Sequence, residues 1–152
     1  MRSSLPLASV GMVLLIGGAL TAQAALNARL GERVGHPLTA SVISFAVGLA
    51  ALLVAAVVAR VPMPSTTTLA SAPWPLWIGG VFGATFIAAS VVLVPRVGPG
   101  LFFALVIAGQ LAAALLIEHF GWLGIDRQPI SVVRVAGAAL LLLGTALIRW
   151  RT

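Results

Sequence analysis

Residues 3–28 contain no charged side chain, and neither do 37–59, 61–95, 97–117 and 135–148. The hydrocarbon core of a bilayer is ~30 Å thick, and a helix of ~20 mainly apolar residues crosses it. The last stretch reaches that length once Arg134 is taken as a first-turn residue whose long stem snorkels to the headgroups. Backbone N–H and C=O groups find no water inside a membrane, so a crossing segment must be a helix or a strand of a closed barrel. These runs are continuously apolar and lack the alternation of a barrel strand, so helices are expected. The fold class is therefore all-α integral membrane.

Composition agrees. The 152 residues are 61% hydrophobic and 8% charged, against ~25% charged in an ordinary soluble domain. Nine basic and three acidic residues cannot clothe a water-facing surface. At ~20 residues per span there is room for about six or seven helices and for no separate soluble domain. The whole chain, 1–152, is read as a single membrane domain. The net charge of +6 sits as single arginines between apolar runs, which marks membrane flanks and not a nucleic-acid surface.

Five spans are expected, roughly residues 5–27, 37–59, 74–94, 101–117 and 130–148. A cleaved leader ending at Ala22-Gln23-Ala24 is the rival for the first, but the apolar stretch exceeds the ~7–15 residues of a signal core. The four prolines between Val61 and Pro75 mark the longest loop, and Pro95 to Gly100 a tight turn rich in helix breakers. Trp74, Trp77 and Trp122 fall at span ends on one side and Trp150 at the other, as interface anchors do.

With five spans the loops alternate sides, and the arginines can be tallied by side. One side holds Arg2, Arg60, Arg127 and Arg134; the other holds Arg29, Arg33, Arg96, Arg149 and Arg151. Four against five gives insertion little instruction. Two readings follow: copies inserting both ways and pairing as an antiparallel homodimer, or one fixed orientation set by details outside the count.

Polar residues inside the spans are few. Gln23 and Asn27 are four apart and stack on one helix face. Gln110 lies deep in the fourth span. Each amide either bonds a neighbouring helix, for on the order of 1 kcal/mol, or lines a wet cavity and binds substrate. Ser41, Ser44, Thr85 and Ser90 can bond their own helix carbonyls and are not expected as ligands. Gly79 and Gly83 in span three, Gly48 in span two, and Gly137 and Gly144 in span five read as helix-packing faces, within the chain or in a homodimer. Glu118, beside His119, is the best-placed titratable candidate for coupling or gating; the alternative is a headgroup-level acid paired with Arg127 or Arg134. Arg29 and Arg96 flank one side, where they can attract an anion.

The chain has no Cys, no paired mid-span carboxylates and no His cluster, an inventory without thiolate chemistry or a metal site and one that speaks against an intramembrane enzyme. No cofactor and no metal are expected. Two functions remain in view: a small-molecule secondary transporter, or a non-transporting membrane subunit that packs with another helical protein through its small-residue faces.

The segment GGALTAQAALNARLGERVGHPLTASVISFAVGLAALL from Gly17, the run PRVGPGLFFALVIAGQ, the EHFGWLG segment and VRVAGAALLLLGTALI together resemble the YdcZ-like family of the drug/metabolite transporter superfamily. The resemblance covers nearly the whole chain. It implies a multi-pass protein of the bacterial inner membrane with about five spans, half of the ten-helix inverted-repeat transporters. It implies movement of small molecules but supplies no substrate; the arginine tally and the inverted-repeat architecture of transporters point to a homodimer, or a heterodimer with a homologous, oppositely oriented chain, working by alternating access, and the amides to a small polar or amphipathic solute. Small multidrug resistance transporters of the same superfamily use a membrane-embedded Glu in span one. This chain has Gln23 and Asn27 there, so proton-coupled cation export by that route does not carry over. If the family's polar positions form the site, they fall on Gln23, Asn27 and Gln110.

Overall fold

The computed structural model describes residues 7–150; Leu5, Arg2 and Arg151 lie outside them. Among these residues the regular structure is helical: α1 (Leu7–Val34), α2 (Pro37–Val58), α3 (Thr66–Ser71), α4 (Ile78–Val97), α5 (Pro99–Phe120) and α6 (Val132–Trp150), with single 3-10 turns at Trp74–Trp77 and Trp122–Gly124. Five helical segments are long and apolar enough to cross a membrane: α1, α2, Trp74–Val97, α5 and α6. The five expected spans are all present.

Their ends differ from the expected ones for local reasons. Helix α1 does not stop at Asn27. It continues through Arg29, Glu32 and Arg33, because Arg and Glu are good helix formers and a charge marks the membrane edge, not the end of a helix. It ends where Gly35 takes φ +79, a conformation that costs Gly little. His36 then caps α2, its Nδ1 accepting from Leu38 N–H at 3.2 Å, and Pro37 fills the first helical position, where no N–H is needed. The expected turn from Pro95 shrinks to one residue: Pro95 lies inside α4, and Gly98 at φ +77 alone separates α4 from α5. The long loop holds α3, capped by Ser65 Oγ, which accepts from Thr68 N–H at 3.1 Å.

The chain forms two compact units, residues 1–96 and 97–152. In the first, the C-terminal half of α1 packs on the start of α2 and the end of α4. Its buried residues are mostly small: Ala24, Ala28 and Gly31 of α1, Ala40 and Ser41 of α2, and Ser90, Val91 and Val94 of α4. Large side chains such as Leu14, Leu15, Val47 and Leu52 point outward. Lipid is as apolar as leucine, so membrane helices gain by bringing backbones close and not by hiding large side chains from water. Gly31 carries this furthest, since a Cβ there would stand 2.6 Å from Val91 Cγ1 and 3.8 Å from Ala40 Cβ.

The second unit is the antiparallel pair α5 and α6. Thr145 Oγ1 donates to Leu141 O within α6 at 2.9 Å and approaches Ala104 O of α5 at 3.4 Å. At the other end of the pair, Glu118 and Arg134 form an ion pair.

Candidate functional site

Helix α1 advances ~100° per residue, which puts Ala24, Asn27, Ala28 and Gly31 on one face, and these are its buried residues. Gln23 stands ~40° beyond Asn27 on that wheel, and the difference separates the two amides. Gln23 is exposed and lines a shallow, largely apolar depression of about 330 Å³ with Ile16, Ala19 and Leu20. Asn27 is 6% exposed, and its Nδ2 is buried without a hydrogen-bond partner among the described residues. A buried donor left unpaired costs about 1–3 kcal/mol. The three hydroxyls Ser41, Thr85 and Ser90 are satisfied by their own helices, donating to Pro37 O, Val81 O and Ile87 O.

One turn beyond Asn27, toward the end of α1, a groove of about 250 Å³ opens between α1 and α4. Its walls are Ala28, Val91, Val92 and Pro95, with Gly31 and Pro37 beneath. Its rim carries one acid and one base, Glu32 and Arg96. Both are exposed, and among the described residues neither takes part in an ion pair or a hydrogen bond. Arg29 is exposed on α1, one turn before Glu32.

Gln110 is exposed on α5 in the second unit. Glu118 and His119, at the end of that helix, are tied into the α5–α6 connection. Glu118 pairs with Arg134 through its carboxylate and accepts from Gln128 N–H at 2.7 Å through its backbone carbonyl. His119 Nδ1 accepts from Ile130 N–H at 3.2 Å, and its carbonyl accepts from Arg127 Nε at 3.1 Å. Carbonyls of the last helical turn, which have no partner within a helix, are thus closed by the returning loop. Gly121 makes the reversal at φ +68.

The glycines behave unevenly. A Cβ at Gly83 would meet Phe45 Cζ at 3.7 Å, whereas at Gly48, Gly79, Gly137 and Gly144 it would meet nothing within 4 Å. The tightest surroundings of any glycine lie instead at Gly31, which is not among the glycines expected to form packing faces. The signal was present as Ala24, Ala28 and Gly31, small residues at spacings of four and three. Among the described residues no cluster of three or more His, Asp or Glu is placed to hold a metal.

The family model described as "Putative inner membrane exporter, YdcZ" matches residues 8–147. The chain belongs to this family. It is a multi-pass protein of the inner membrane, and the exporter description agrees with five helices long and apolar enough to cross a membrane. The match spans both units, from α1 to the last turns of α6. Comparison with curated proteins and with solved structures gives no match.

Proposed function

We propose that the chain is a secondary exporter of small polar or amphipathic solutes, working by alternating access as an antiparallel homodimer of oppositely inserted copies. The observation that carries this reading is Asn27, a buried amide whose Nδ2 has no partner among the described residues, within a chain of an exporter family. A donor held unsatisfied in a membrane interior is a functional candidate, because simple packing would favour an apolar side chain there. Gln23 and Gln110, exposed on α1 and α5, supply further amides to the path once two copies come together. The near-tied arginines support opposed insertion, and inverted halves are the common architecture of alternating access. Arg29 and Arg96 draw anionic groups to the mouth. Glu118 is the coupling acid in this reading: a proton on its carboxylate breaks the pair with Arg134 and loosens the α5–α6 hairpin, with His119 holding the connecting loop.

The test is flux from proteoliposomes loaded with a broad panel of labelled solutes. Export of at least one solute, lost in Asn27→Leu, is the expected result. No flux for any solute, together with no solute-dependent shift in melting temperature, overturns it. One observation favours a second reading. Gly48, Gly79, Gly137 and Gly144 face open space, as on a non-transporting subunit that packs against a different membrane protein. That reading expects the chain expressed alone to run as an unstable monomer, where the exporter runs as a dimer.

A further inference from the structure

The groove between the ends of α1 and α4 holds a feature that bulk export does not require: one acid and one base on a shared rim, each without a partner. Opposite charges on neighbouring surfaces attract one another, weakly when exposed. Glu32 and Arg96 line the same 250 Å³ but stay apart among the described residues. Between them lie Ala28, Val91, Val92 and Pro95, with no further charge. At ~30 Å³ per water, the groove holds the volume of about eight waters, the size of a compact organic ion. Two features keep it open. Gly31 lacks the Cβ that would strike Val91, and the αL turn at Gly35 brings the start of α2, with Pro37, up to the floor.

We propose that this groove is a binding site for a compact zwitterion, with its anionic group on Arg96, its ammonium on Glu32 and its apolar body on Val91, Val92 and Ala28. A guanidinium–carboxylate or guanidinium–phosphate contact and a carboxylate–ammonium contact are both charge-assisted, and each is stronger than a neutral hydrogen bond. A molecule with only one charge leaves the other rim residue unanswered and forfeits one of the two contacts. The same chemistry is present in a free amino acid and in the headgroup of phosphatidylethanolamine, and the site lies at the membrane edge where either can reach it. Service of the groove as an access point for exported solute rests on the transport reading above; binding itself does not.

The experiment uses the full chain, purified in detergent and in nanodiscs. The probes are leucine and δ-aminovalerate, whose charges stand one and four carbons apart. The singly charged counterparts are isocaproate and isoamylamine for leucine, and valerate and butylamine for δ-aminovalerate. Binding is read by equilibrium dialysis and by the shift in melting temperature. At least one zwitterion is expected to bind about tenfold more tightly than either of its singly charged counterparts, the difference of one charge-assisted contact. Glu32→Gln removes the preference over the matching carboxylate, and Arg96→Gln the preference over the matching amine. The exchanged pair Glu32→Arg with Arg96→Glu restores the preference for the zwitterion, which a folding defect would not do. If no free zwitterion binds but nanodiscs of phosphatidylethanolamine raise the melting temperature over those of phosphatidylglycerol, and both single variants lose the increment, the lipid headgroup is the ligand and the site stands. Equal binding of zwitterions and singly charged compounds, or no response to any probe or lipid, overturns it. Zwitterion binding without flux of that zwitterion in liposomes removes the groove's service as an access point for exported solute while leaving the site intact.

Discussion

In the proposed transport reading, Asn27 sets stability and function in opposite directions. Its neighbours on the buried face of α1 are Ala24, Ala28 and Gly31, and its Nδ2 donates to nothing among the described residues. Asn27→Leu removes a buried donor while keeping the same branched heavy-atom skeleton, so the variant is expected to gain about 1 kcal/mol of stability, seen as a higher melting temperature in detergent, while solute flux falls. A variant that melts lower would mean that the amide bonds another group in the assembled protein and acts as glue. Gly31, one turn on, makes the contrary case, where close packing depends on the absence of a side chain. Gly31→Ala sets a Cβ 2.6 Å from Val91 Cγ1. Overpacking of this kind costs ~1–3 kcal/mol, of which the better helix propensity of Ala returns up to ~1. The net outcome is a lower melting temperature, and adding Val91→Ala recovers most of it. A single variant as stable as the parent would show that α1 and α4 have room to separate.

Among the elements, the α5–α6 hairpin is held at one end by a hydroxyl and at the other by a charge pair. Arg134 donates through Nη2 to Glu118 and through Nη1 to Gln128 O at 3.3 Å, so it ties both the end of α5 and the connecting loop to α6. Arg134→Gln is therefore expected to cost more than Glu118→Gln, which leaves the Gln128 contact in place. For a pair this exposed the acid's loss is about 1 kcal/mol or less. Chemical denaturation of the two variants in detergent orders them, and equal losses would show that the Gln128 contact contributes nothing. The sequence offered this pair as one of two partners for Glu118, because both arginines lie within reach of a helix end that has only one acid. The spans themselves were legible because charge-free length is a one-dimensional signal. Their ends were not, since Arg29 and Arg33 stop a hydropathy window without stopping a helix, and Pro95 is tolerated within the last turn of α4. The groove at Gly31 escaped detection for a further reason. The spacing of Ala24, Ala28 and Gly31 marks a close-packing face of α1, but that Val91 is what meets it leaves no trace in spacing along one helix.

At the scale of the whole molecule, the positive-inside rule has a difference of only one arginine to act on, five against four, of which Arg2 and Arg151 lie outside the described residues. A chain without Cys allows a direct count of each orientation. Thr67 is exposed in α3, whereas the nearby Ser65 is spent on the helix cap, so Thr67→Cys is the better reporter of the α2–α4 loop. Treated in intact cells with a membrane-impermeant thiol reagent, about half the molecules should label at once and the rest only after permeabilisation. Small changes in the tally should then have large effects. Arg60 sits on the side of that loop at φ +52, a backbone conformation that Asn tolerates well, so Arg60→Asn removes the charge without straining the turn. The tally becomes three against five, the arginine-rich side stays inside, and nearly all of the loop should label from outside. Replacing Arg29 and Arg33 by Gln makes it four against three, and external labelling should fall well below half. Flux should drop in both variants, since either one depletes the copies available to pair in opposite orientation. Complete labelling from one side in the parent, unmoved by these changes, would fix the chain in a single orientation and require an oppositely inserted partner chain for the same machine.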